Sequence, residues 1–133
     1  MPLLLDSDYV ELEERGISFV EDEPRRLLIL KDFELPQSVY RQERCDVLIV
    51  VPANYNQTGN DMLWTFPMLE MASGAPIPAT CGPESDSRAF DNKVFCRWSR
   101  HWHSGAGVWK PGVDNVTTIL NRITWAFNHP SAQ

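Results

Sequence analysis

The sequence predicts an α+β fold in which a C-terminal helix packs on an antiparallel sheet. Three observations lead there. Short apolar runs rich in β-formers follow one another up to Pro67, separated by turn residues, as in a meander. A long irregular stretch, residues 73–92, then carries Gly74, Pro76, Pro78, Gly82 and Pro83 among several Ser and Asp. The chain closes on an amphipathic segment in which Val116, Ile119, Leu120, Ile123 and Phe127 share one helical face.

The elements follow in order. Ser7 or Asp6 caps a short acidic helix of about two turns carrying Tyr9, Val10 and Leu12. Gly16 stops it. Ile17 to Val20 reads as a strand, Glu21 to Pro24 as a polar turn, and Arg26 to Phe33 as a second strand ended by Pro36. Cys45 to Val51 is a near-continuous β-branched run, the pattern of a strand buried on both faces. Ala53 to Asp61 is turn chemistry, and Met62 to Phe66 is a fourth strand closed by Pro67. After the long loop, Val94 to Trp98 is short and extended. Asp114 caps the last helix and Pro130 ends it. The expected architecture is thus an N-terminal helix, a four-stranded antiparallel meander, a long loop and a C-terminal helix, in one domain over residues 1–133.

Composition narrows the function. A net charge of −6 argues against a nucleic-acid binder, because phosphate contact needs a basic surface. The longest apolar run, Val47 to Val51, is far too short to span a membrane, and the opening Met-Pro-Leu-Leu-Leu-Asp lacks the basic flank of a secretory signal. Three cysteines without framework spacing fit a reducing compartment, so a cytoplasmic location is expected.

Chemistry concentrates in residues 95–112, which hold Cys96, Ser99, His101, His103, Arg97, Arg100 and three of the five tryptophans. A thiol or hydroxyl near a proton acceptor and positive charge suits acyl transfer. Cys96 has Arg97, Arg100 and His101 nearby to favour its thiolate; its alternative is a small buried cysteine beside Phe95. Ser99 is the rival nucleophile, with His101 or His103 as base. Strand alternation puts Arg97 and Ser99 on one face and Cys96 and Trp98 on the other, so only one nucleophile faces a cleft. Zinc on His101, His103, Cys96 and Cys81 is not expected, because the spacing matches no tight site. His103 otherwise reads as a surface or capping residue, Cys45 as core, and Cys81 as exposed and idle. Asn60 and Asp61 form a turn, or hold the active loop, or stabilise an oxyanion. Trp98, Trp102 and Trp109 read as packing anchors and Trp64 as core.

Four pieces of sequence carry a resemblance. They are Val51-Pro52-Ala53-Asn54-Tyr55, Gly59-Asn60-Asp61-Met62-Leu63-Trp64-Thr65, Arg97-Trp98-Ser99-Arg100-His101 and Trp109-Lys110-Pro111-Gly112-Val113-Asp114. With the order of elements, over roughly residues 10–128, the chain resembles the ubiquitin-conjugating enzyme superfamily, and more narrowly its bacterial branch known as prokaryotic family E. The resemblance implies the UBC-like fold and a carrier function. Such a protein accepts a ubiquitin-like protein from a ThiF-type activating enzyme as a thioester, or here an oxyester, and passes it to an amine. It implies no cofactor, and a metallopeptidase encoded nearby as a further partner. The cysteine in the family's position is Cys96, while the fairly specific motif centres on Ser99 and His101. Arg97 and Arg100 are solvated, pair with Glu84 and Asp86, or contact the partner's C-terminal tail. The His-Pro-Asn that precedes the cysteine in eukaryotic relatives is missing, since His129-Pro130 lies at the other end. A catalytically inactive binding module of the same fold is therefore the alternative function.

Overall fold

The apolar runs become strands because β-branched and aromatic side chains fill a pleated surface on both sides. The computed structural model describes residues 2–80, 88–102 and 108–132. Its elements are α1 (Asp6–Glu14), β1 (Phe19–Asp22), β2 (Leu27–Glu34), β3 (Arg44–Val50), β4 (Leu63–Phe66), β5 (Arg88–Phe90), β6 (Lys93–Trp98) and α2 (Val116–Asn128). The sheet has six strands in the order β1-β2-β3-β4-β6-β5, with every neighbouring pair antiparallel.

The sheet thus has two strands more than the four that the sequence predicts. The first four strands form the expected meander, but the chain then adds a hairpin whose second strand joins β4. β5 is only three residues long and lies inside the stretch expected to be irregular. Its signal was the turn. Asp91 and Asn92 both take left-handed backbone, with φ of 51° and 61°. Paired positive φ is what a tight two-residue hairpin requires, and Asp-Asn is a pair that tolerates it.

One face of the sheet carries Leu28, Leu30, Val47, Ile49, Leu63, Cys96 and Trp98. Against it pack Leu12 of α1 and Val116, Ile119, Leu120, Ile123 and Phe127 of α2, the stripe expected from the sequence. The opposite face holds a smaller cluster of Leu27, Ile29, Leu48, Trp64 and Phe95. Cations help to cover it. Arg88 lies 5.1 Å from the Trp64 ring centre, and Lys93 lies 5.3 Å from that of Phe66. β3 is accordingly buried on both faces, as its continuous apolar run predicts.

The helix ends show what fixes α2 to the rest. Its N-cap is Asn115, whose side chain accepts the Thr117 N–H at 3.0 Å, rather than Asp114. Asp114 is occupied one residue earlier, accepting the Lys110 N–H at 2.7 Å and closing the preceding turn. Asp8 of α1 is 1% exposed. Its carboxylate accepts the N–H groups of Leu5 and Val116, at 3.1 Å each, and the Tyr55 hydroxyl at 2.6 Å. Three donors, two of them at helix N-termini, are what make such burial tolerable. Gly16 follows α1 in left-handed backbone, with φ of 68°, as a helix stop. Among the described residues no helix is long and apolar enough to cross a membrane.

Candidate active site

Sheet pairing assembles the site. β4 and β6 are antiparallel with Leu63 opposite Trp98. Residues just before Leu63 and just after Trp98 therefore emerge at the same end of the sheet. Asp61 comes from the first group; Ser99, Arg100 and His101 come from the second.

There Asp61, His101 and Ser99 form a continuous chain of hydrogen bonds. His101 Nδ1 lies 2.8 Å from Asp61 Oδ1, and His101 Nε2 lies 3.1 Å from Ser99 Oγ. A carboxylate can only accept, so the first bond places the neutral imidazole's proton on Nδ1. Nε2 is then left as the acceptor for the serine hydroxyl. The order hydroxyl, imidazole, carboxylate is the one that a nucleophile, its base and an orienting group would take. The site is open to solvent: the side chains of His101 and Asp61 are 40% and 52% exposed.

Cys96 lies on the other side of the alternation. It shares the core face with Trp98, is 8% exposed and is disulfide-bonded. Cysteine usage had pointed to free thiols throughout. The odd count is compatible with a bridge because Cys45 remains a free buried thiol. Burial pushes the Cys45 thiol up to about 12, with Asp46 adding to the effect, so it is a neutral core group. Cys81 and His103 lie outside the described residues, as do Glu84 and Asp86. Among the described residues no group of three or more His, Cys, Asp or Glu is placed to hold a metal ion.

The two arginines of the motif separate. Arg97 is half-buried and sits across from Trp64 on the sheet face away from α2. Arg100 was expected to be solvated, to pair with the acidic loop or to meet a partner. It is instead 1% exposed. Its guanidinium lies 4.9 Å from the Trp98 ring centre and donates to the carbonyls of Ser99, Pro78 and Pro130, at 3.1, 3.2 and 3.1 Å. Carbonyl acceptors and an aromatic face replace its hydration shell, and the loss of water lowers its pKa. It thus ties the backbone at Ser99 to two other segments. The Ser99 N–H itself donates to Ala79 O at 2.9 Å, so both sides of this residue's backbone are held.

Asn60 and the tryptophans hold the opposite wall. Asn60 is 4% exposed, and its side-chain oxygen accepts from Arg122 of α2 at 3.1 Å. Its amide nitrogen has no accessible surface and no hydrogen-bond partner. Asn60 therefore holds the turn from within and cannot reach a substrate oxyanion in this conformation. Trp109 donates its indole N–H to Asn56 O at 2.8 Å and lies flat on Gly59, where an added Cβ would come within 2.0 Å of its ring. Trp98 packs edge-on to Phe127 at 5.3 Å in the core. The tryptophans are anchors, as the sequence suggested.

Arg122 is what the sequence reading missed. It is 6% exposed although it lies on α2, and it touches both Trp102 and Trp109. The available signal was its place three residues after Ile119, a cation inside an apolar helical stripe.

Comparison with known families gives one match. The family model described as prokaryotic E2 family E matches residues 4–130. No curated protein and no solved structure matches the chain.

Proposed function

The chain belongs to prokaryotic E2 family E, and from that premise we propose that it carries the C-terminal acyl group of a ubiquitin-like protein as an oxyester on Ser99. A ubiquitin-conjugating-like role, with a ubiquitin-like protein and an activating enzyme as partners, follows from the family. The hydroxyl carrier is supported by one observation above all, the Ser99–His101–Asp61 chain at 3.1 and 2.8 Å. The burial and disulfide of Cys96 weigh on the same side.

The chemistry runs in two steps. A ThiF-type activating enzyme presents the ubiquitin-like protein with its terminal carbonyl activated. Ser99 Oγ attacks that carbonyl while His101 Nε2 takes the hydroxyl proton. Asp61 stabilises the resulting imidazolium, which protonates the departing group on the activating enzyme. The product is an ester on Ser99. In the second step an acceptor amine attacks the ester carbonyl. His101, neutral again, takes a proton from the attacking amine and passes it to the Ser99 oxygen as that oxygen leaves, and an amide bond remains. A nearby metallopeptidase forms no part of this proposal.

The competing form is a thioester on Cys96. It requires the disulfide to be reduced and the sulfur to turn out of the core. The test is to mix the protein with a ThiF-type activating enzyme, ATP and the ubiquitin-like protein, and to follow the adduct on a gel. The oxyester predicts an adduct that resists thiols, is cleaved by hydroxide and disappears in Ser99→Ala. A thiol-sensitive adduct lost in Cys96→Ala would move the chemistry to the cysteine. Binding without an adduct would make the protein a non-catalytic module.

A further inference from the structure

We propose that Arg122 is the positioning residue of this site, setting both Asp61 and His101 from helix α2; the assignment rests on reading Ser99, His101 and Asp61 as the acyl-transfer array. Its Nη1 donates to Asn60 O at 2.6 Å and to Asn60 Oδ1 at 3.1 Å. Asn60 immediately precedes Asp61, so these bonds fix the backbone from which the orienting carboxylate extends. The guanidinium also lies 4.9 Å from the ring centre of Trp102 and 5.4 Å from that of Trp109. Trp102 immediately follows His101. One planar cation therefore grips the neighbour of Asp61 through hydrogen bonds and the neighbour of His101 through an aromatic face. Trp109 completes the stack by lying on Gly59 at the start of the same turn.

A cation buried on a helix needs specific contacts to offset its lost hydration. Burial strips water from Arg122 and lowers its pKa, with Asp114 and Asp61 acting in the opposite sense. An apolar side chain of similar volume would leave the buried Asn60 oxygens without this donor, and a planar donor fork fixes geometry that an alkyl chain cannot. A cation kept inside the apolar stripe of α2 fits a demand for geometry. Asp61 and His101 are both substantially exposed, and an exposed pair holds itself together weakly. Their 2.8 Å contact depends on the backbones being held from behind.

The imidazole tautomer reads this out. Neutral histidine in water favours the proton on Nε2, and the contact to Asp61 demands it on Nδ1. The experiment is long-range ¹H–¹⁵N correlation of the His101 ring in wild type, Arg122→Met and Arg122→Lys, with circular dichroism to establish folding. Wild type is expected to show the Nδ1-protonated form. Arg122→Met is expected to stay folded, to shift His101 towards the Nε2-protonated form, and to slow ester formation on Ser99 by about 10- to 100-fold, the scale of a misplaced catalytic group. Arg122→Lys, which keeps a donor to Asn60 but loses the planar stack, is expected to recover part of both. A folded Arg122→Met with unchanged tautomer and unchanged ester formation overturns the proposal. Unfolding of both variants also overturns it, by assigning Arg122 to stability alone. Wild type without the Nδ1 form would instead sink the array reading itself, and the inference with it.

Discussion

Cys96 and Ser99 are separated by two residues, yet they occupy opposite environments. Cys96 is the last but two of β6, faces α2 and is closed off by packing and a disulfide. Ser99 lies one residue past the strand end, where its side chain meets solvent and His101. The difference does not come from intrinsic nucleophilicity, in which a thiol exceeds a hydroxyl. It comes from the pleat and from where the strand stops. A strand interior directs alternate side chains into a packed core, while its exit can bring residues of neighbouring strands together in the open.

The strongest way to break this comparison is to exchange the losses. Ser99→Ala should abolish the hydroxide-labile adduct while leaving thermal stability unchanged, and Cys96→Ala should retain the adduct. His101→Gln should slow adduct formation by about 10²- to 10⁴-fold, the usual range for a general base, as measured by single-turnover loading. Loss of the adduct in Cys96→Ala with retention in Ser99→Ala would invert the assignment. On the closed side, Ile123 of α2 is fully buried. Ile123→Ala should cost about 2–5 kcal/mol in chemical denaturation, with loading per folded molecule largely preserved. Between the two regions lies the Gly59–Trp109 contact. Gly59→Ala forces the indole to shift and should cost about 1–3 kcal/mol, with loading also reduced because the turn carrying Asp61 moves.

At neutral pH the smallest expected effect is that of pH itself. Burial raises the pKa of Cys45 to about 12 from an ordinary 9.0, and raises those of Tyr40 and Tyr55 above 10.0. These groups hold their protons longer in the folded chain than in the unfolded one. Their contribution is complete below the unfolded values and is lost as pH rises through the folded values. Stability should therefore be flat with respect to them at neutral pH and decline from about pH 9 upwards, by at most about 1.4 kcal/mol per pH unit for each group. A urea midpoint that rises between pH 9 and 11 would contradict this.

The same contrast explains how much the sequence revealed. The α2 stripe from Val116 to Phe127 and the doubly buried β3 were legible because periodicity is a local property. Each member of the hydrogen-bonded chain was also singled out in the sequence: Ser99 as a candidate nucleophile, His101 as its candidate base, Asp61 as a turn or support residue. Their union was not, because it depends on β4 lying beside β6, and sheet order is a long-range fact. The three-residue β5 carried too little pattern to reveal the hairpin that brings β6 there, apart from Asp91-Asn92. Arg100 was misread for a related reason. A cation looks solvent-bound in sequence unless its acceptors are known, and here they are backbone carbonyls, which no side-chain pattern announces.

Arg100 has a consequence for how the chain matures. One of its acceptors is the carbonyl of Pro130, 30 residues further along. A nascent chain that has just made Ser99 holds a guanidinium whose full set of acceptors does not yet exist. The tie from Arg100 to Pro130 exists only when synthesis has passed the end of α2. A chain cut short before Pro130 therefore lacks one of the three carbonyls that fix this guanidinium beside Ser99.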